Sequence, residues 1–153
     1  MKQSAGILLY KHVIGQLNVL LVHPGGPFWK NKDAGAWSIP KGEFTDDEDS
    51  LSAAIREFKE ETGTLLSGDF QDLGNVKLKS GKVVHAWAIE GDLDTATLKS
   101  NEIEIEWPPK SGKKITVPEV DKAEWCNIPK ALEKINPAQQ ELINRLIDKL
   151  QYP

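Results

Sequence analysis

Two blocks rich in Ile, Leu and Val, Ser4 to Lys11 and Leu17 to His23, stand on either side of a turn at Gly15. They read as a pair of largely buried strands. His23-Pro24-Gly25-Gly26-Pro27 then breaks regular structure, and the loop that continues to Ala36 carries Phe28 and Trp29. Trp37-Ser38-Ile39 is a short strand candidate, stopped by Pro40 and Gly42. From Asp49 to Thr62 the apolar positions Leu51, Ala54, Ile55 and Phe58 fall at i, i+3, i+4 and i+7, which predicts a helix, and Gly63 supplies its stop. Val76 to Lys79 and Lys82 to Ile89 flank Ser80-Gly81 as a hairpin. Glu102 to Trp107 alternates acid and apolar, predicting a strand with one acidic face that Pro108-Pro109 ends. A basic loop from Lys110 to Lys114 precedes a strand around Lys122 to Cys126. The last segment opens at Pro137 and puts Leu142, Ile143, Leu146, Ile147 and Leu150 on one helical stripe. Strands interspersed with two helices, without repeats or long linkers, predict an α+β domain in which helices sandwich a mixed sheet.

The 153 residues, 39% hydrophobic and 27% charged, suit a single domain spanning 1–153. With 12 Gly and 9 Pro spread along the chain, collagen-like and broadly disordered classes are excluded. No apolar run approaches the roughly 20 residues of a membrane span, and no leader of the secretory type is readable. The one cysteine, Cys126, has no internal partner, so a reducing, cytoplasmic location is the expectation.

Charge changes the picture once it is localised. Eight acids and two bases lie between Glu43 and Glu61, a local −6 in a chain of net −4. Such a patch repels nucleic-acid phosphates, which argues against an extended DNA or RNA partner, unless a divalent cation reverses the local sign. Within it Glu57, Glu60 and Glu61 stand at i, i+3 and i+4, so their carboxylates share one sector of the helix, turned away from the Leu51/Ile55/Phe58 stripe. Oxygen-only ligands crowded in this way suit Mg²⁺ or Mn²⁺, and Arg56 beside them can hold a carboxylate through two hydrogen bonds. A solvated acidic helix face would read the same way.

The surrounding pattern tips that balance. Gly42, five residues, Glu48, seven residues, then Arg56-Glu57-Phe58-Lys59-Glu60-Glu61-Thr62-Gly63-Thr64 resembles the Nudix box over 42–64, matching all seven of its invariant-type positions. Two softer positions depart: Phe58 is aromatic and Thr64 polar where the box favours bulky aliphatic residues. The resemblance covers nearly the whole chain, although only the box is specific. It implies a Nudix-type α/β/α sandwich and hydrolysis of a nucleoside diphosphate linked to another group. It also implies Glu57, Glu60, Glu61 and the Gly42 carbonyl as metal ligands, Arg56 as orienter and Glu48 as a supporting carboxylate. The general base stays open among Glu57, Glu60, Glu61 and the strand acids Glu102, Glu104 and Glu106, for which an exposed strand face is the plainer reading.

Pro40-Lys41-Gly42 leading into the box resembles the branch that hydrolyses asymmetric dinucleoside tetraphosphates such as diadenosine tetraphosphate. This implies a phosphate contact for Lys41. Other nucleoside triphosphates and nucleotide sugars are the alternative substrates, and a nucleotide-binding domain without turnover is the alternative class. Lys110 in its basic loop is a candidate grip for a polyphosphate, though a solvated loop is the ordinary explanation. Trp29, on a loop with Phe28, is the candidate for stacking a base, and Gly25-Gly26 reads as a turn rather than an anion nest. His12, His23 and His85 have no zinc spacing and read as structural.

Overall fold

The computed structural model describes residues 2–152. Strands β1 (Gln3–Val13) and β2 (Gln16–Pro24) form the expected hairpin. Ile14 and Gly15 make its two-residue turn, both at positive φ, as the right-handed twist of the flanking strands requires. Next come β3 (Lys41–Phe44), α1 (Ser50–Thr62), β4 (Gln71–Lys77) and β5 (Val83–Glu90). They are followed by β6 (Glu102–Glu106), β7 (Lys114–Pro118), β8 (Val120–Asn127), α2 (Ile128–Lys134) and α3 (Gln140–Leu150). The main sheet runs β4-β5-β1-β2-β8, with β3 also on β1, while β6 and β7 make a separate two-stranded sheet. The pairing of β1 with β5 is parallel and the rest antiparallel, so the sheet is mixed.

Helices cover both faces of this sheet, which is why β1 reads as an unbroken apolar run. Ala5, Ile7, Leu9 and Leu20 pack with Ala53, Ala54 and Phe58 of α1. Leu8, Tyr10, Leu17, Val19 and Leu21 pack on the other face with Ala131 of α2 and Leu142, Ile143 and Leu146 of α3. The α/β/α sandwich expected from the sequence is the observed fold.

Several boundaries differ from expectation. Trp37–Ile39 makes only isolated bridges, Ser38 to Val22 and Trp37 to Ile135, and the strand lies just beyond Pro40. The reason is a split in the sheet. The register of β2 on β1 spans only Tyr10↔Val19 to Val13↔Gln16, which leaves the edge from Gln3 to Gly6 free for Phe44 to Lys41. Pro40 needs no N–H there, because its carbonyl accepts from the Ile7 amide at 3.1 Å. Two elements leave no periodic signal in the sequence: β7, short and set among charges, and α2, whose seven residues are too few to show a period. Pro137 opens a 3-10 turn, Pro137–Gln139, and α3 follows it.

Candidate metal centre and active site

Helix α1 is placed by its two ends. The Asp49 side chain accepts from the Ser52 amide at 2.9 Å, and Gly63, at φ 84°, ends the helix by donating to the Lys59 carbonyl. Between them the buried side is wider than the periodicity suggested. Leu51 and Ile55 are half-buried, whereas Glu57 and Glu61 are buried with Ala53, Ala54 and Phe58. These two carboxylates therefore flank the apolar stripe against the sheet instead of pointing away from it.

Arg56 gathers the rest of the box. Its Nε and Nη2 donate to the two carboxylate oxygens of Glu48, both at 2.8 Å, and its Nη1 reaches Glu57 at 2.9 Å and Glu60 at 3.2 Å. This fork lowers the Glu48 pKa from its ordinary value, and the carboxylates in turn raise the Arg56 pKa further. Glu57 is shifted upward by burial and by the Glu60 charge, with Arg56 opposing. Glu61 is pushed up to about 9, by burial first and then by the charges of Glu119 and Glu57.

The third acid of the cluster is Glu119, which the sequence reading passed over. Oxygens of Glu57, Glu61 and Glu119 lie within 4.8 Å of one another. Glu119 sits at the junction of β7 and β8, and a chain of backbone hydrogen bonds ties it to the end of α1. The Asn101 and Lys99 amides donate to the Glu60 and Thr62 carbonyls, and the Asn101 carbonyl accepts from the Glu119 amide at 3.0 Å. Glu119 follows Pro118 with no periodic pattern around it, so it is the pairing of β8 with β2 together with the 99–101 hydrogen bonds that brings it opposite α1. The one local hint is an acid between two apolar positions, Val117 and Val120, at the entry to a strand.

Three carboxylates this close, two of them buried, repel unless protons or a cation intervene. Glu61 Oε2 is buried and has no hydrogen-bond partner among the described residues, an orphan left free for a ligand. The donor set is all oxygen, as hard divalent cations prefer, so these residues fit Mg²⁺ or Mn²⁺. Gly42 adjoins them on β3: a Cβ there would lie 2.0 Å from Cδ of Glu57.

A cavity of about 210 Å³ opens beside the carboxylates. Glu61, Glu119, Lys41, Trp29, Ser38 and Asn136 are among the residues that line it. The structure thus brings Lys41 and Trp29 to the same space as Glu61. The Lys41 pKa is lowered, by burial first and then by the Lys82 charge. Glu60 is half-buried, outside the closest carboxylate trio, and held by Arg56. Lys110 is exposed in the turn between β6 and β7, and it is not among the residues lining this cavity. Glu102, Glu104 and Glu106 are exposed on β6, where Glu106 accepts from the Lys110 and Gly112 amides.

Gly25 is spoken for: its amide donates to the Glu119 carbonyl, and a Cβ would strike the Pro118 carbonyl. His23 is buried, with Nδ1 2.8 Å from Asp121 and Nε2 2.7 Å from the Lys32 carbonyl, so it ties the 24–36 loop to the start of β8. Cys126 is buried on the sheet and its thiol is pushed up to about 11 by burial. Among the described residues no helix is long and apolar enough to cross a membrane.

The NUDIX domain model matches residues 2–146. Among solved structures the chain is similar to a Caenorhabditis elegans Ap4A hydrolase binary complex, at 22% identity and a TM-score of 0.67, covering 99% of this chain and 98% of that one. It is also similar to the NUDIX domain of Shewanella oneidensis NrtR complexed with ADP ribose, at 18% identity and a TM-score of 0.65, covering 97% and 87%. A third likeness is to the C-terminal domain of mouse MUTYH in complex with human PCNA, at 18% identity and a TM-score of 0.62, covering 100% and 92%. At such identities these likenesses speak for the fold alone. No curated protein matches the chain.

Proposed function

The chain belongs to the Nudix family, as a Nudix hydrolase with its acidic box whole, and from that premise we propose that it is a magnesium-dependent pyrophosphohydrolase of nucleoside diphosphate derivatives. The leading substrate is a dinucleoside polyphosphate such as diadenosine tetraphosphate. The observation that carries the reading is the meeting of buried Glu57 and Glu61 with Glu119, where Glu61 Oε2 is left unpartnered.

Glu57, Glu61, Glu119 and the Gly42 carbonyl would hold the cation, with Glu60, held by Arg56, as a further ligand or the base. Bound Mg²⁺ or Mn²⁺ neutralises pyrophosphate oxygens and acidifies water in such a site. Arg56 keeps Glu57 and Glu60 at fixed distances while Glu48 locks Arg56 in place. Lys41, on the cavity wall, offers a charge to a phosphate beyond the carboxylates. Trp29 offers an aromatic face in the same cavity. Water attacks phosphorus in line, a carboxylate of the cluster takes its proton, and the bridging oxygen leaves on the departing phosphate. The Lys41 charge and the length of a four-phosphate chain support the dinucleoside reading over a nucleotide sugar. A small-molecule nucleotide is the partner on this reading, and a reducing cytoplasm suits a protein whose one cysteine is buried and free.

The test is a panel of nucleoside polyphosphates and ADP-ribose with Mg²⁺, with products identified and the site of attack marked by ¹⁸O water. Hydrolysis of other nucleoside triphosphates or of ADP-ribose in preference would select the alternative substrates. Binding without turnover across the panel would select a non-catalytic domain.

A further inference from the structure

A second space borders the carboxylate cluster at Glu119. A groove of about 440 Å³ runs between the 24–36 loop and the β6–β7 hairpin, walled by Phe28, Trp29, Ile103, Ile105, Trp107 and Pro109. Trp29, Pro24 and Glu119 line both this groove and the cavity that holds Lys41 and Glu61, so the two spaces meet at Glu119 with Trp29 between them. We propose that this groove is a binding subsite for a planar, uncharged aromatic group at the far end of a polyphosphate substrate, the second base of a dinucleoside. The inference rests on the pyrophosphohydrolase reading for the phosphates, and on the groove itself for the aromatic group.

Chemistry selects the occupant. Among the described residues no Lys, Arg or His lines the groove, and Glu106, its ionisable residue away from the cation cluster, is an acid that repels phosphate. What enters must therefore be the part of a ligand without phosphate. The walls are rings and branched aliphatics. Phe28 and Trp29 stand edge to face, 4.9 Å between centroids, and Lys32 lies 4.2 Å above the Phe28 ring, steadying that side. A flat π-system between indole and aliphatic walls gains stacking without a hydrogen-bond code, which suits any base.

The opposite wall is built for the purpose by the hairpin register. Ile103 pairs with Val117 and Ile105 with Ile115, so the apolar face of β6–β7 turns as a unit. Gly26 faces this wall at φ 95°, a conformation that favours glycine, and a Cβ there would be in ordinary contact with Val117 at 3.4 Å and Ile105 at 3.5 Å. Phe28 is 51% exposed and Ile103 36%, an apolar surface that in a monomer needs something to cover it. The groove borders the reaction centre at Glu119, which favours the substrate itself over a protein partner.

Two measurements test this. In the first, kcat/KM with Mg²⁺ is compared for diadenosine tetraphosphate and adenosine 5′-tetraphosphate, which has as many phosphates but one nucleoside. Trp107→Ala and Ile105→Glu are each expected to lose about tenfold on the two-ended substrate, mainly in KM, and to stay within about twofold on the other. The second needs no turnover. In ¹H–¹⁵N spectra of the metal-free protein, adenosine is expected to move the Trp107 indole N–H, assigned from Trp107→Phe, while inorganic tripolyphosphate leaves it in place. Equal losses on both substrates, or a Trp107 signal unmoved by adenosine, would overturn the subsite while leaving the hydrolase reading intact. Hydrolysis of neither substrate with a Trp107 signal that still responds to adenosine would sink the reaction and keep the groove. Sedimentation that finds a dimer, dispersed by Ile105→Glu with substrate preference unchanged, would give the groove to a second copy of the chain and overturn the proposal.

Discussion

Gly42 and Glu57 occupy adjoining space: a Cβ on Gly42 would lie 2.0 Å from both Cδ and Oε2 of the Glu57 carboxyl group. The obstacle is the end of a flexible side chain, so Gly42→Ala is relieved by moving Glu57 and not by breaking β3. The expected outcome is a protein that keeps its circular dichroism spectrum and loses at least about tenfold in kcat, because a misplaced group near the chemistry is costly. Full activity in Gly42→Ala would mean that the position of Glu57 is unimportant.

Glu119→Gln is expected to lower kcat about 10²- to 10⁴-fold, as are Glu57→Gln and Glu61→Gln, since each removes a charge from one shared cluster. The losses in double variants should fall well short of multiplying, as for groups that act as a unit. Steady-state kinetics at saturating Mg²⁺ checks this, and near-normal turnover in Glu119→Gln would remove it from the centre.

The Glu61 shift fixes the sign of a pH dependence. Its folded-state pKa, about 9, lies above the unfolded 4.5, so between these values the metal-free folded protein binds the extra proton and stability falls as pH rises. In EDTA, thermal melts of the wild type should drop from pH 5.5 to 8.5. Glu61→Gln, which mimics the protonated acid, should flatten that slope. Mg²⁺ should raise the melting temperature more at the higher pH, because cation and proton compete for the same oxygens. Identical pH slopes for the two proteins in EDTA would contradict the assignment.

Lys41 is the substrate probe. Replacing it by Ala removes the positive charge from the cavity wall, and kcat/KM for diadenosine tetraphosphate should fall about tenfold to a hundredfold, the worth of one charged hydrogen bond of about 1.5–3 kcal/mol. ADP-ribose should be affected less. Lys110→Ala, in the exposed turn, should act in the same direction but weakly. Equal losses on both substrates would detach Lys41 from the polyphosphate reading.

Cys126 is buried and its thiol is held near 11, so it supplies no thiolate near neutral pH. Cys126→Ala is expected to leave kcat unchanged while EDTA abolishes turnover and Mn²⁺ restores it. Loss of activity in the folded variant would point to thiol chemistry instead.

Local physics made much of this protein legible in one dimension. The helical stripe and its stop at Gly63 made α1 legible from Asp49 to Thr62, the apolar runs did the same for β1 and β2, and the fixed spacing from Gly42 through Glu48 to Gly63 marked the box, because a helix places i, i+3 and i+4 together whatever surrounds it. Tertiary structure decided the rest. The strand at Lys41–Phe44 exists only because β2 leaves half an edge of β1 open. Whether the α1 glutamates faced water or protein depended on the sheet beneath them, and burial of Glu57 and Glu61 is what raises their pKa values. Glu119, 58 positions beyond Glu61, joins them through strand pairing and the 99–101 hydrogen bonds, contacts that carry no periodic trace in the sequence because each is made between segments far apart along the chain.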